Sequence, residues 1–459
     1  MQVRSFFVYE SSKVRSFFVY ICMQVRSFFV INMYREAINE LIKWKESKRR
    51  KPLVLEGARQ VGKTWLVKEF ARLYYKNIAY VNFEEQQYIR SLFEQDYDTN
   101  RILSAISAAT HTHCEPGKTL IFLDEIQEAH NGLTALKYFN ENAPEYHIIV
   151  AGSLLGLELH KQVSFPVGKV QFMTLYPMNY KEFLRAMGND ALVDFLEKED
   201  WNNINLFSEK YKERLKQYYY IGGMPEVVLS FSESQNWQEA REIQLEILNS
   251  YDRDFSKHAP QEIVPRIRQL WQSIPAQLSR ENRKFIYGLV REGARAREYE
   301  IALQWLFDSG LIYRVNCVSA PRIPLKSYED SSAFKIFMVD IGLLGAMSDL
   351  DEETIVKGNE IFTEFKGALT EQYALQQLIL SNSLYYWSKA NAKQEIDFLI
   401  QQKGEVIPIE VKAEENLRAK SLKQYIIEQN PSKAYRISMS NYRQDDKIVN
   451  LPLFAISLV

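Results

Sequence analysis

Short apolar runs alternate with segments of helical periodicity between residues 33 and 176. The runs at 52–56, 77–83, 119–123 and 147–151 are typical of buried strands. The segments between them have the spacing of amphipathic helices. This alternation predicts an α/β domain built on a parallel sheet, and we place that domain at 33–176.

The pattern changes twice further along the chain. Residues 177–261 have mostly helical spacing and predict a helical lid on the first domain. Residues 262–330 predict three short helices followed by a strand pair at 311–318 and 323–328, the order of a winged helix-turn-helix. The third helix begins with arginines and glutamates together, so DNA binding and protein docking both stay open for this segment.

Residues 331–459 predict a second α/β domain. An amphipathic helix at 365–380 precedes two alternating strands at 395–400 and 406–412, and a Lys403-Gly404 turn joins these strands as a hairpin. The predicted order is therefore an α/β domain with a parallel sheet, a helical lid, a winged helix-turn-helix and a C-terminal α/β domain.

The first 32 residues stand outside this pattern. The hexapeptide Val-Arg-Ser-Phe-Phe-Val occurs at 3–8, 14–19 and 25–30, an identical repeat every 11 residues. Solenoid repeats are longer and more variable, and arginines interrupt the apolar runs as they do not in a signal peptide. We expect 1–32 to be a translated DNA repeat with no part in the fold, and Met33 to be a plausible initiator.

Composition limits the class of protein. At 459 residues the chain is too long for one core, and its 46% apolar and 25% charged residues are ordinary for a soluble globular protein. The net charge of −1 gives no overall basic field, so any DNA contact must come from a local patch. Three scattered cysteines fit a reducing cytoplasm, and no apolar run is long enough to predict a membrane span.

Residues 57–64 match the phosphate-binding pattern G-x-x-x-x-G-K-[ST] between a predicted strand and a predicted helix. In this arrangement backbone N–H groups face the phosphates, Lys63 reaches the β- and γ-phosphates, and the Thr64 hydroxyl ligates Mg²⁺. The predicted nucleotide-binding residues of the loop are Gly57, Ala58, Arg59, Gln60, Val61, Gly62, Lys63 and Thr64.

Two adjacent carboxylates follow the buried run at 119–123. A parallel strand delivers such acids to its carboxyl edge, so we predict that Asp124 holds Mg²⁺ and Glu125 polarises the water that attacks the γ-phosphate. Ser153 follows the next buried run and is either a γ-phosphate sensor or a plain helix cap. The sequence has no Asn-Lys-x-Asp stretch, which favours ATP over GTP.

These stretches resemble the bacterial and archaeal AAA-type ATPases that carry a C-terminal domain of unknown function. The resemblance continues through 151–155, 164–170, 175–178, 221–226 and 334–344, and so covers essentially everything after Met33. Many relatives have a glycine-arginine pair where this chain has Gly168-Lys169. Enzymes of this type often complete the site with an arginine from a neighbouring subunit, so a homo-oligomer stays open.

The chemistry of the last domain centres on a D…E-x-K layout. Strand alternation places Glu395 and Asp397 on one face of their strand, and Glu410 and Lys412 likewise share a face of theirs. This layout resembles restriction-endonuclease-like, PD-(D/E)xK domains, which implies that Asp397 and Glu410 ligate Mg²⁺ and Lys412 positions the attacking water. Glu371 would be an outer acid of this metal site, and Gln424 is a weaker candidate. The alternative is a hairpin whose charges simply face solvent.

Two functions stay open. The first is an ATP-hydrolysing enzyme that couples its nucleotide state to a nuclease-like, DNA-acting domain. The second is a nucleotide-gated switch that binds DNA or protein without cutting. ATP and Mg²⁺ are the predicted ligands, DNA and further copies of the chain are candidate partners, and no membrane is expected.

Overall fold

The computed structural model describes residues 33–152, 168–280, 284–355, 363–389, 394–414 and 420–459. The chain divides into two compact units, Met1–Tyr34 and Arg35–Val459, and all the elements below belong to the second. The predicted N-terminal extension at 1–32 lies outside the described residues.

A five-stranded sheet forms the first part of the larger unit. Its order is β2-β3-β4-β1-β5, and every neighbouring pair is parallel. The strands are β1 (Leu53–Glu56), β2 (Asn77–Asn82), β3 (Thr119–Asp124), β4 (His147–Ala151) and β5 (Gln171–Thr174). The helices around it are α1 (Ala37–Glu46), α2 (Lys63–Tyr74), α3 (Thr99–Thr110) and α4 (Gly132–Asn142). The predicted α/β domain with a parallel sheet is confirmed.

Strand β3 brings the candidate chemistry to one edge of this sheet. All six of its residues are buried, and β2 and β4 pair with it on either side. Apolar side chains of the three strands pack with those of α3 and α4 in one cluster. Because the strands are parallel and in register, Asn82, Asp124 and Ala151 lie side by side at the carboxyl edge.

The middle of the chain is helical, as its spacing predicts. Its helices are α5 (Tyr180–Ala186), α6 (Asp190–Glu197), α7 (Trp201–Leu206), α8 (Ser208–Ile221), α9 (Pro225–Ser234) and α10 (Trp237–His258). Three more follow, namely α11 (Val264–Leu278), α12 (Tyr287–Val290) and α13 (Ala296–Asp308). In the ranges that the structure describes, no helix is both long and apolar enough to cross a bilayer.

The strand pair after these helices differs from the predicted one. The first strand, β6, spans Ile312–Val318, but the second, β7, spans Glu329–Met338. The prediction of a strand at 323–328 is wrong, because a cis Ile323–Pro324 bond leads into a 3₁₀ turn at Leu325–Tyr328. The alternating residues that pair with β6 come only after this turn.

Strands β6 and β7 belong to an eight-stranded mixed sheet, not to a separate wing. Its order is β12-β13-β11-β10-β9-β8-β6-β7, and β6 runs parallel to β8. The other strands are β8 (Tyr385–Ser388), β9 (Glu395–Gln402), β10 (Glu405–Val411), β11 (Ala434–Ser438), β12 (Arg443–Asp445) and β13 (Ile448–Pro452). Helices α14 (Ile341–Met347), α15 (Thr363–Leu378) and α16 (Lys420–Gln429) accompany it. The predicted domain boundary at 330 therefore falls inside β7.

A buried junction joins the helical segment to α14 and α15 through Asp340 and three glycines, Gly222, Gly223 and Gly342. The Asp340 carboxylate is fully buried and accepts hydrogen bonds from the Gly223 amide (2.6 Å), the Leu343 amide (3.1 Å) and the Gln376 side chain (3.0 Å). A Cβ at any of the three glycines would overlap a neighbouring side chain or carbonyl. We call this set the glycine–aspartate junction.

Candidate functional site

The phosphate-binding loop lies between β1 and α2, at the edge where Asp124 ends β3. Gly57 has a φ of 140°, and a Cβ there would overlap the carbonyl oxygen of Leu175. Gly62 has a φ of 92° and caps the N-terminus of α2. Both positions need a backbone that side chains rarely adopt, so this loop conformation requires glycine at both.

Lys63 begins α2 and is almost fully buried. Its Nζ donates to the carbonyl oxygens of Gly57 (2.8 Å) and Ala58 (2.9 Å). Burial lowers the pKa of Lys63 to about 8, against the opposing attraction of Glu125 and Asp124. The ammonium is thus held inside the loop by weak neutral acceptors, which phosphate oxygens can replace.

Thr64 and Asp124 form the centre of the candidate site. The Thr64 hydroxyl donates to Asp124 Oδ2 at 2.7 Å, and the Tyr80 hydroxyl reaches the same oxygen at 3.3 Å. Burial raises the pKa of Asp124, while the Thr64 hydrogen bond opposes this rise. One hydroxyl and one carboxylate are a donor set that fits Mg²⁺, which takes one or two protein ligands beside phosphate oxygens and water.

Glu125 lies directly after the sheet edge in a left-handed conformation, with a φ of 51°. Gln127 donates to its Oε2 at 2.5 Å, which fixes the carboxylate beside Asp124. Ser153, the predicted γ-phosphate sensor, lies outside the described residues. Lys169, at the position where relatives have arginine, forms an ion pair with Glu141 at 2.9 Å.

Residues outside its sequence pattern also bind the loop. Buried Arg35 donates to the Val61 carbonyl at 2.8 Å, and the Tyr251 hydroxyl donates to the Arg59 carbonyl at 2.9 Å. The Arg59 side chain pairs with Asp254 at 2.5 Å. Tyr251 and Asp254 lie on α10, so this helix contacts the loop directly.

Residues from the middle of the chain also lie close to the loop. A Cβ at Gly62 would lie 3.4 Å from the Pro225 ring, and a Cβ at Gly310 would lie 3.3 Å from the Ala58 nitrogen. Gln60, which lies between Ala58 and Gly62 in the sequence, has a left-handed φ of 66°. A tyrosine, an aspartate or a glycine that lies some 200 residues away has no local signature, so only the fold reveals these contacts.

The predicted C-terminal site is assembled in part. Strands β9 and β10 are antiparallel neighbours, and Asp397 Oδ2 accepts the Val411 amide at 2.7 Å. Lys412 Nζ lies 2.6 Å from Glu410 Oε1, while Glu410 Oε2 is buried and has no hydrogen-bond partner among the residues that the structure describes. Burial, followed by the charge of Asp397, raises the pKa of Glu410 to about 7.

The prediction for Glu371 is an outer acid of the C-terminal metal site. It is buried on α15, with its Oε2 3.5 Å from the Nζ of Lys335. The described residues contain no group of three His, Cys, Asp or Glu side chains placed to hold a metal ion, so the metal site stays a prediction. Gln424 hydrogen-bonds to Glu428 on the outside of α16.

Asp397 and Glu410 by themselves still fit a divalent ion. Glu410 supplies a buried carboxylate oxygen without a partner, and an orphaned acceptor of this kind is costly unless water or a cation meets it. Two carboxylates are also enough for Mg²⁺ when water and phosphate oxygens complete its shell.

Comparison with protein families divides the chain into three matched segments. Residues 49–184 match the AAA domain, residues 212–354 match a domain of unknown function (DUF8612), and residues 366–455 match another (DUF4143). The first match contains the loop, Lys63, Thr64, Asp124 and Glu125. Over these residues the chain is therefore similar to the AAA domain.

Comparison with solved structures gives more distant similarities. The Walker-type ATPase of Pyrococcus abyssi is 15% identical, with 69% of this chain and 96% of that chain covered and a TM-score of 0.41. Aeropyrum pernix ORC1 in complex with DNA is 14% identical, with 69% and 93% covered and a TM-score of 0.28. Thermotoga maritima RuvB is 14% identical, with 64% and 90% covered and a TM-score of 0.27. No curated protein matches the sequence.

Proposed function

We propose that this protein is a Mg²⁺-dependent ATPase that couples its nucleotide state to a nuclease-like, DNA-acting C-terminal domain. The observation that carries the first half is the 2.7 Å contact between the Thr64 hydroxyl and Asp124, directly after a glycine loop that can surround phosphates. Matching the AAA domain over 49–184 supports the same assignment.

Each residue of the P-loop site has a distinct part in ATP hydrolysis. The loop amides bind phosphate oxygens, and Lys63 exchanges its two carbonyl acceptors for oxygens of the β- and γ-phosphates. Thr64 and Asp124 hold Mg²⁺, which supplies charge neutralisation to the phosphates when bound. Glu125 orients and polarises the water that attacks the γ-phosphorus.

The C-terminal domain would act on a phosphodiester through Asp397, Glu410 and Lys412. Asp397 and Glu410 would bind one Mg²⁺, and Lys412, whose ammonium now neutralises Glu410, would position the attacking water. Helix α13 is a candidate DNA contact because Ala296 and Arg297 in its first turn are exposed, but its mixed charge does not favour DNA over protein.

Coupling would run through buried contacts that join the two sites. Helix α10 contacts the phosphate loop through Tyr251 and Asp254. The glycine–aspartate junction links the helical segment to α15 through Gln376, which binds Asp340. Glu371 lies on the same helix, so a shift of α10 that the junction transmits would reach the C-terminal carboxylates.

A nucleotide-gated switch without cutting activity is the second candidate. It is favoured by the internal neutralisation of the C-terminal cluster, in which Lys412 pairs with Glu410 and Lys335 with Glu371 and Glu395. Such a cluster can serve as a buried polar core for a binding domain as well as a catalytic centre.

One experiment separates these functions. ATPase rates are measured with and without single- and double-stranded DNA, and the DNA products are sized from the same tubes in Mg²⁺ and in Mn²⁺. We expect ATP hydrolysis together with DNA cleavage that Asp397→Ala abolishes while hydrolysis persists. Unchanged cleavage in Asp397→Ala would refute the C-terminal site. Slow, DNA-insensitive hydrolysis without cleavage would favour the switch.

A further inference from the structure

Tyr80 is a half-buried tyrosine of the parallel sheet that no sequence motif identifies. It lies on β2, whose register with β3 pairs Tyr80 with Phe122 and Asn82 with Asp124. Because every second side chain of a strand points to the same side, these four side chains share one face of the sheet. Helix α2 contacts this face, since its Thr64 hydroxyl reaches Asp124.

The Tyr80 hydroxyl is oriented by a chain of hydrogen bonds that has a fixed direction. The Asn82 side-chain oxygen accepts the backbone N–H groups of Glu84 (2.9 Å) and Glu85 (3.3 Å). The amide nitrogen of Asn82 therefore faces Tyr80 and donates to its hydroxyl oxygen at 3.4 Å. Because this oxygen already accepts, the tyrosine donates its own proton to Asp124 Oδ2, at 3.3 Å.

The ring and the proton of Tyr80 are both held in place. The Lys68 ammonium lies 3.8 Å from the centre of the Tyr80 ring, and the centre of the Phe122 ring lies 5.3 Å from it. Burial, followed by the negative charge of Asp124, raises the pKa of Tyr80 to about 12. The hydroxyl thus keeps its proton at neutral pH and remains a donor to the carboxylate.

Asp124 consequently has two donors on one of its oxygens. Thr64 donates to Oδ2 at 2.7 Å beside Tyr80, while Oδ1 accepts the Glu125 amide at 3.2 Å. Two hydroxyl donors on Oδ2 restrict rotation of the carboxylate and favour its ionised form, which is the form that binds a cation. A hydrogen-bonding neighbour of this kind orients a metal ligand without itself touching the metal.

We propose that Tyr80 is a positioning residue of the P-loop site, which holds the Asp124 carboxylate in place for the Mg²⁺ that accompanies ATP, and that Asn82 directs the tyrosine proton towards this carboxylate. This inference rests on the proposed ATPase function. Because the Tyr80 hydroxyl acts through Asp124, its removal weakens the contribution of Mg²⁺ to nucleotide binding and leaves metal-free binding unchanged.

The test separates the contribution of the metal from that of the phosphates. Affinity for a fluorescent, non-hydrolysable ATP analogue is measured in excess Mg²⁺ and in EDTA, and the ratio of the two affinities gives the effect of Mg²⁺. Because the 3.3 Å bond is long, we expect this ratio to fall by about three- to tenfold in Tyr80→Phe, with the affinity in EDTA unchanged. Tyr138→Phe is the matched control and should keep the wild-type ratio, since Tyr138 is a half-buried tyrosine of the same domain that stacks on Tyr97.

A second variant tests the part of Asn82. Asn82→Ala should lower the ratio in the wild-type chain but not further in Tyr80→Phe, because both side chains act through one proton. A further loss in the double variant would overturn the part of Asn82. Equal losses in Mg²⁺ and in EDTA, or an unchanged ratio in folded Tyr80→Phe, would overturn the role of Tyr80 while leaving the ATPase site intact. A wild-type chain whose affinity Mg²⁺ does not raise would instead refute the proposed Mg²⁺ site, and the role of Tyr80 with it.

Discussion

The two candidate sites achieve charge balance in opposite ways. The P-loop site is built largely from backbone: glycines with positive φ and a lysine held by two carbonyl oxygens. The C-terminal site is built from charged side chains, in which Lys412 pairs with Glu410 and one buried Glu410 oxygen has no hydrogen-bond partner among the described residues. The first arrangement suits a ligand with several negative charges, and the second suits a cation.

The largest expected effect is a loss of ATP hydrolysis at the P-loop site. Lys63→Ala removes the ammonium that stabilises the β- and γ-phosphate charge, so ATP hydrolysis should fall by roughly 100-fold or more. Phosphate release assays measure the rate. Lys118→Ala, at an exposed lysine that pairs with Glu115, is the control and should keep the normal rate. Normal turnover in Lys63→Ala would remove the proposed ATPase site.

A backbone change tests whether the loop depends on glycine. Gly57→Ala places a methyl group against the Leu175 carbonyl at a φ of 140°, and strain of this kind costs about 1–3 kcal/mol. We expect ATP affinity, measured with a fluorescent ATP analogue, to fall by at least about tenfold. Gly117→Ala also has a positive φ but nothing within 4 Å, so it should leave ATP affinity unchanged. Equal effects in both variants would contradict the overlap.

The C-terminal side predicts a pH dependence of stability. The folded pKa of Glu410 is about 7 against 4.5 for an ordinary glutamate, so the folded chain binds this proton more tightly. The stabilisation that this proton gives to the folded chain is present below about pH 4.5 and is lost as the pH rises to about 7. Between these pH values the free energy of unfolding of the wild type should fall by about 1–3 kcal/mol relative to that of Glu410→Gln, measured by urea unfolding with a chelator present. Parallel pH profiles for the two chains would contradict the raised pKa.

The smallest effect concerns the contact between α10 and the loop. Asp254→Asn weakens the ion pair with Arg59, and a partly exposed pair of this kind contributes about 0.2–1 kcal/mol. ATP affinity should fall by about two- to fivefold. Asp252→Asn is the matched control, because Asp252 lies on the same helix but pairs with Arg268. A loss of affinity in the control alone would show that α10 does not act through Arg59.

Sequence reasoning succeeded where chemistry depends on neighbours in the chain. The loop, Lys63, Thr64 and Asp124 follow from local patterns, because a strand, a glycine turn and a helix already place them. The same holds for the hairpin of β9 and β10, whose strands are antiparallel neighbours.

It fell short where partners come from distant parts of the chain. Lys335, Arg35 and Asp254 have ordinary sequence surroundings, and their partners lie between 26 and 195 residues away. The second strand of the expected wing was misplaced because six residues, 323–328, have an apolar pattern but form a turn. Strand propensity depends on the pairing and packing around a segment, so propensity alone does not distinguish residues 323–328 from β7, the strand that pairs with β6.

The pairing of β6 with β8 limits where a C-terminal fragment of the protein can begin. A fragment that starts after β7 would begin at α14 and leave β8 as an open sheet edge, with unpaired amide and carbonyl groups next to the apolar side chains of Tyr386 and Trp387. Exposed edges of this kind promote aggregation. A soluble fragment that carries the C-terminal carboxylates must therefore start at or before Ile312, inside the segment that also supports the phosphate loop.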